Sequence, residues 1–432
     1  MVDKHNPQNT KPLSKDFNRN RLGWLQHFLG LFGLILIFES WLLWIPQDLY
    51  PQVPFISTLT DLPAFVHYFL AAGMLISLFL VLILPVSKKS SRLFLIGFVF
   101  FSTASILLNQ HRFQPWMYHL MITACILAIA PAKFSIRFLR IVIVSIYFYS
   151  AFSKMDAVFP ELTGGRILKG IFKVIDYDAK FMDPKTFRLL VFMFPAGELL
   201  TAILLSFKRS RFFGLILSVI MHVVLFLTFS PLGLHHQNGV LIWNLYFVVQ
   251  NILLFRSVSK NNDKVLSPEA IKQSQPRSLG TAVAFVLTMT VCLLPLLEPW
   301  GLFDHWPAWG LYASRQERVR ISIHESVADN IGEELKPYLE PVRFNEQWRR
   351  LRIHQWSLDK LKAPMYPQDR FQIGVALAVG KKFQLEKNIR IEREGIANRW
   401  TGIRTGSEFT GMGEIEQYAN RFRLNALPSS FK

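Results

Sequence analysis

The run Gly23–Trp44, GWLQHFLGLFGLILIFESWLLW, decides the fold class. Its one carboxylate, Glu39, comes near the end, and the rest is mostly Leu, Phe, Ile, Gly and Trp. Hydrocarbon about 30 Å thick takes roughly 20 apolar helical residues to cross, and this run supplies them. Eight further runs follow it: Ala64–Pro85, Leu93–Leu108, Trp116–Ala130, Phe138–Ser153, Arg188–Phe207, Phe212–Leu232, Gly239–Phe255 and Gly280–Leu297. The third and fourth of the nine are short and closely spaced, so one re-entrant pair is the alternative to two spans. Only 18% of the 432 residues are charged, against about 25% in soluble domains. These features exclude a soluble, disordered or nucleic-acid-binding protein as the main reading. The expected fold is a polytopic α-helical membrane bundle of about nine spans with a small extracytoplasmic α+β C-terminal domain.

The net charge of +18 is distributed as membrane topology requires. Lys11, Lys15, Arg19 and Arg21 precede the first run. Alternate loops then carry Lys88, Lys89 and Arg92; Lys133, Arg137 and Arg140; Lys208, Arg209 and Arg211; and Arg256, Lys260 and Lys264. The opposing loops are poor in cations: Pro46–Pro63 and Pro231–Asn238 have none, and Asn109–Pro115 has only Arg112. Short loops rich in Lys and Arg stay in the cytoplasm. The amino terminus is therefore expected in the cytoplasm and the chain after the ninth run outside, in the inner membrane if the source is bacterial. No small-x-small cleavage site follows the first run, which reads as a retained anchor.

Three regions result: a polar cytoplasmic tail over 1–22, the bundle over 23–299, and an extracytoplasmic domain over 300–432. Within the bundle, helical spacing of Ile167, Leu168, Ile171, Phe172 and Ile175 predicts an interfacial helix over 166–180. The polar stretch 257–279 is expected to be a cytoplasmic linker. In the last region, alternation predicts strands at Arg318–Glu325, Phe371–Val379 and Ile389–Glu392. Helices are expected at Glu346–Leu361 and Glu414–Phe422. Cys125 and Cys292 lie singly in apolar runs, so neither a disulfide framework nor Cys-ligated metal is expected.

Ionisable residues inside spans cost roughly 2.5–3.5 kcal/mol at mid-helix on insertion scales, so each one is informative. Glu39, His111, His119 and Lys154 lie toward the outer side, Glu198 and His222 well inside, and His235 and His236 at an outer span end. An outward-facing polar cavity is the simplest arrangement that pairs them. Each also has a plainer role: a lysine at a span end can be a snorkelling anchor, a buried histidine can tie two helices, and Glu198, near Pro195 and Gly197, can satisfy backbone at a break. Adjacent histidines without a completing carboxylate are a weak metal signal, and no metal is expected.

Three stretches resemble the vitamin K-dependent gamma-glutamyl carboxylase and its bacterial relatives, the horizontally transferred transmembrane domain family. They are Asn109-Gln110-His111; Tyr149-Ser150-Ala151-Phe152-Ser153-Lys154-Met155-Asp156 followed by Gly164-Gly165; and His222 followed by Pro231–Asn244. A looser match joins Trp306–Tyr312 to Tyr338-Leu339-Glu340-Pro341. The resemblance covers roughly 19–341. It implies Lys154 as a base, His111 as its assistant and His222 in the core as catalytic residues. It also implies Asn109, His119 and Asn244 around a cofactor, vitamin K hydroquinone or another quinol, with a quinone and a protein or peptide substrate as partners besides the lipid bilayer. An amine desolvated at a membrane edge can serve as a base because burial disfavours its charged form. Two features depart from the family: Ser153 stands where the carboxylase has a second lysine, and the external portion is shorter.

The expected function is thus a lipid-quinol-linked membrane enzyme, a carboxylase-like lyase. The competing readings are a non-enzymatic membrane anchor or assembly protein and a transporter of a small solute.

Overall fold

The computed structural model describes residues 13–85, 89–256, 279–342 and 346–431. The expected linker over 257–279, except for Leu279, and most of the amino-terminal tail lie outside them. The first half is helical: α1 (Leu13–Glu39), the single turn α2 (Trp41–Trp44), α3 (Ala64–Ile83), α4 (Lys89–Leu108), α5 (Pro115–Ile129), α6 (Ala132–Lys154), α7 (Thr163–Val174), α8 (Pro184–Ser206), α9 (Arg211–Phe229), α10 (Asn238–Phe255) and α11 (Leu279–Leu293). Among the described residues, eight helices are long and apolar enough to cross a membrane, the signature of an integral membrane protein.

The expectation of about nine comparable spans is refined at its fourth member. The third run forms a full 20-residue helix, whereas α5 has only 15 residues, about 22 Å at 1.5 Å per residue. The reason α5 can be short is its position. It packs against α1, α4, α6 and α11, and Trp116, Met117, Leu120, Ala124, Ile126 and Leu127 are all buried. The peripheral helices instead leave one face bare: Phe69, Phe79 and Ile83 on α3, Phe100 on α4, Leu189 and Met193 on α8, and Phe213 and Ile220 on α9 are exposed.

The predicted interfacial helix begins and ends earlier than expected, at Thr163 and Val174. Its apolar side, with Ile167, Leu168 and Phe172, is buried against α8 and α9, and Lys173 donates to the Gly233 carbonyl at 2.9 Å.

The C-terminal domain holds an antiparallel sheet of order β2-β1-β3-β4, made of β1 (Arg318–His324), β2 (Trp348–Leu351), β3 (Ile389–Glu394) and β4 (Gly406–Thr410). Four helices complete it: α12 (Glu325–Ala328), α13 (Ile353–Leu361), α14 (Asp369–Lys382) and α15 (Met412–Ala419). Ile321 of β1 lies between Leu351 and Ile391, and this buried face packs on α14. The strands expected at Arg318–Glu325 and Ile389–Glu392 form, as does the last helix.

Two expectations are corrected. Phe371–Val379 is helix, not strand, because α14 is buried on all sides from Asp369 to Gly380. Alternation of Phe371, Ile373, Val375, Leu377 and Val379 with Gln, Gly and Ala carries no information about period when every face is inside. Asp369 in its first turn and Lys381 and Lys382 in its last complement the helix dipole. At Gly374, an added Cβ would sit 2.6 Å from Val53 and 2.7 Å from the Ala426 carbonyl, so only glycine admits that approach. The helix expected over Glu346–Leu361 splits, with its first part paired as β2 and only Ile353–Leu361 helical.

Candidate functional site

Residues Tyr147, Ser150 and Lys154 stand on one face of α6, at positions i, i+3 and i+7. Lys154 is 4% exposed. Its ammonium donates to both oxygens of Glu198 on α8, each at 2.9 Å, and to the Ser150 hydroxyl and carbonyl at 2.5 and 3.1 Å. The Ser150 hydroxyl also reaches Glu198, at 3.2 Å. Pro195 leaves α8 continuous through Ser206, so Glu198 is spent on Lys154 rather than on broken backbone. An isolated ion inside apolar packing is strongly penalised, and a hydrogen-bonded partner offsets that cost.

One turn deeper, His222 on α9 joins the same face. Asn244 donates to the Val240 carbonyl at 2.8 Å, which turns its own carbonyl oxygen toward His222 Nδ1, also at 2.8 Å. Nδ1 therefore carries the proton, and Nε2 accepts from the Tyr147 hydroxyl at 2.7 Å. Tyr147 accepts in turn from Asn251 at 2.7 Å. The Phe247 ring lies between two imidazoles, 4.8 Å from His222 and 4.7 Å from His119. His119 Nδ1 accepts from Trp243 at 3.2 Å, leaving Nε2 without a partner among the described residues.

The C-terminal domain roofs this end of α6. Arg399 donates to the carbonyls of Phe152 and Met155 at 2.8 and 3.1 Å, filling acceptors that a helix end leaves open. Its guanidinium also lies 4.1 Å from the centre of the Phe152 ring.

His111 lies elsewhere. Asn109 caps the turn Gln110–Arg112 by accepting from the His111 amide at 3.1 Å. Gln110 accepts from Arg370 at 2.9 Å, and Arg112 donates to the Leu43 carbonyl at 2.8 Å and to the Ser105 hydroxyl at 3.1 Å. His111 Nε2 faces the Pro364 carbonyl at 3.1 Å and Ser357 at 3.2 Å, between the rings of Tyr50 and Phe371. Burial pushes its imidazole down to about 3, which keeps it neutral. This loop fastens the C-terminal domain to the bundle, and among the described residues His111 and Lys154 have no hydrogen-bond partner in common.

Sequence reasoning missed two further charged clusters. Arg370 makes a two-pronged ion pair with Asp304, and Tyr366 and Gln368 also donate to that carboxylate. His305 is buried between Glu298 at 2.7 Å and Glu317 at 2.6 Å. Burial opposes its charged form, but the hydrogen bonds and charges of the two carboxylates prevail and hold it up at about 10. Single acids and bases spread over twenty residues give no spacing signal, so only folding could reveal the triad.

A cavity of about 810 Å³ opens between the bundle and the C-terminal domain. Of the expected polar residues, Glu39 and His236 line it, while Lys154, His111, His222, Asn109, His119 and Asn244 do not. The structure thus joins Lys154 to Glu198, and His222 to Asn244, along one face of α6, and leaves His111 and Asn109 in the junction. Among the described residues, no group of three or more His, Cys, Asp or Glu side chains could hold a metal ion. No family model, curated protein or solved structure matches this chain.

Proposed function

We propose that the chain is an integral membrane enzyme on the carboxylase-like plan, with its amino terminus in the cytoplasm, its C-terminal domain outside, and Lys154 with Glu198 as its proton-transfer pair. The observation that carries this reading is a lysine at the position the resemblance singles out, buried and held on both oxygens of one carboxylate. The bare apolar faces of the peripheral helices suit contact with lipid, and the alternation of cations between loops orients them.

The chemistry follows from isolation. A proton that leaves the Lys154 ammonium can settle on Glu198, converting an ion pair into a neutral amine and acid with no change in net charge. Ser150, bonded to both, keeps the two groups aligned during that exchange. A free amine is the stronger base toward a substrate, and Glu198 is where its proton waits. The quinol implied by the resemblance finds no matching fit. Asn109 and Asn244 take part in local hydrogen bonds; among the described residues His119 Nε2 and, in the separate junction, His111 Nδ1 have no partner.

The test is complementation of a strain lacking the chain, with membrane lipids and peptides followed by mass spectrometry under labelled bicarbonate. The expected result is a product made with the wild type and lost with Lys154→Ala and Lys154→Arg. The double variant Lys154→Gln/Glu198→Gln, which keeps a hydrogen bond without charge, separates loss of chemistry from loss of folding. Undiminished product with Lys154→Ala overturns the enzymatic reading and favours a membrane anchor. Label in the product identifies carboxylation.

A further inference from the structure

The cavity between the bundle and the C-terminal domain has two unlike walls. Leu36, Trp116 and Trp243, from α1, α5 and α10, form an apolar floor. The other wall carries six cations, Arg166, Arg318, Arg320, Arg350, Arg352 and Lys362, against three carboxylates, Glu39, Glu317 and Glu340. Glu317 is already committed to His305. Arg318 and Arg320 are matched by Glu392 and Glu394 on the neighbouring strand.

The remaining cations have no such partners. Among the described residues, the side chains of Arg166, Arg350 and Lys362 make no hydrogen bond or ion pair, and that of Arg352 bonds only to the Pro337 carbonyl at 2.8 Å. Their field registers on nearby groups. The His354 imidazole is held below its ordinary range by burial and then by Arg166. His236 is pushed down to about 4 by burial, by His354 and by Arg166. The wall also includes Leu162 and Thr163, the start of α7, which has no acidic residue in its first turn and no side-chain cap. A helix start adds a positive potential.

We infer that this cavity binds an anionic amphiphile, a phosphate ester borne on a lipid, with the headgroup on Arg166, Arg350, Arg352 and Lys362 and the acyl portion against Leu36, Trp116 and Trp243. Guanidinium groups match phosphate oxygens in pairs, and cations that meet no acceptor within the protein are available for one. A cavity of several hundred Å³ with an apolar wall and a few convergent polar groups is what a ligand of this size needs. The inference rests on the cavity alone and requires nothing of Lys154.

The experiment titrates the full chain, in a neutral detergent, with dihexanoyl phosphatidylglycerol, dihexanoyl phosphatidylcholine and glycerol 3-phosphate. The expected result is that phosphatidylglycerol binds at least tenfold more tightly than either of the others. Arg166→Glu/Arg350→Glu is expected to weaken it at least tenfold, and Arg166→Lys/Arg350→Lys to retain most of it. Should the charge-reversed protein lose its folded melting transition, Arg166→Gln/Arg350→Gln gives the same reading with less perturbation. Equal binding of phosphatidylcholine overturns the proposal, as does unchanged affinity in the Gln variant. Equal binding of glycerol 3-phosphate overturns the amphiphile and leaves a site for a free phosphate ester.

Discussion

Lys154 and Arg350 are both cations, and the protein treats them in opposite ways. Lys154 sits inside the bundle, 4% exposed, with every ammonium direction spent on Glu198 and Ser150. Arg350 faces a cavity, exposed, with its side chain unpaired among the described residues. Where water is excluded, an unpaired charge is costly, so the sequence must supply a counter-charge from another helix. Where solvent enters, it need not, and a cation can be kept for a ligand. The bundle is thus a closed polar system, and the cavity beneath the C-terminal domain an open one.

The sharpest way to break this contrast is to remove the counter-charge. Glu198→Ala is expected to destabilise the protein by about 3–5 kcal/mol, because it leaves a buried ammonium uncompensated. Lys154→Gln/Glu198→Gln should cost far less, and unfolding in mixed micelles measures both. Comparable losses for the single and double variants would remove Lys154 from the closed system.

The junction between the regions is expected to follow the closed pattern. The folded His305 imidazole is held at about 10, above the ordinary value of about 6.5. Its contribution is therefore complete below about pH 6.5 and fades as pH rises toward 10, by an amount on the order of 5 kcal/mol. Unfolding midpoints between pH 6 and pH 10 should fall in the wild type and stay flatter in His305→Gln. His111 has the opposite sign. Burial depresses it to about 3, so its contribution is present above about pH 6.5 and lost as pH falls toward 3. A stability decline over that acid range that is diminished in His111→Gln would show it.

Tyr147→Phe strips one donor and one acceptor from the chain linking His222 to Asn251. Its expected cost is about 1–3 kcal/mol, read in the same unfolding assay. At the open end, Arg166→Ala and Arg350→Ala are expected to leave the melting temperature unchanged. A clear drop in either would mean that these arginines hold the fold rather than wait for a ligand.

Legibility in the sequence followed the same division. The long apolar runs, the strand at Arg318–His324, the last helix and the amphipathic α7 each carry a local period, and local periods survive into structure. Phe371–Val379 misled because a helix buried on all sides needs no polar face, so an accidental alternation passed for a strand. Lys154 and His222 stood out as ionisable residues in apolar runs, and Lys154 stands on the face of α6 that carries Tyr147, the partner of His222 on α9. His111 stood out in the same way, yet its depth comes from the C-terminal domain folding over it as well as from Tyr50 of the bundle region. Trp348–Leu351 shows the strand counterpart: four residues are too few to display a period, and pairing with Arg318–His324 fixes them.

The sequence by itself determined that long apolar helices would form, roughly where they begin and end, and which ionisable residues would be expensive to bury. Those are properties of neighbouring residues and of solvent preference, which a linear chain already contains. The tertiary structure alone decided that Glu198 answers Lys154, that His305 bridges two carboxylates, and that four cations are left facing a shared cavity. Pairing and its absence depend on distances between elements far apart in the chain, and no spacing along the chain encodes them.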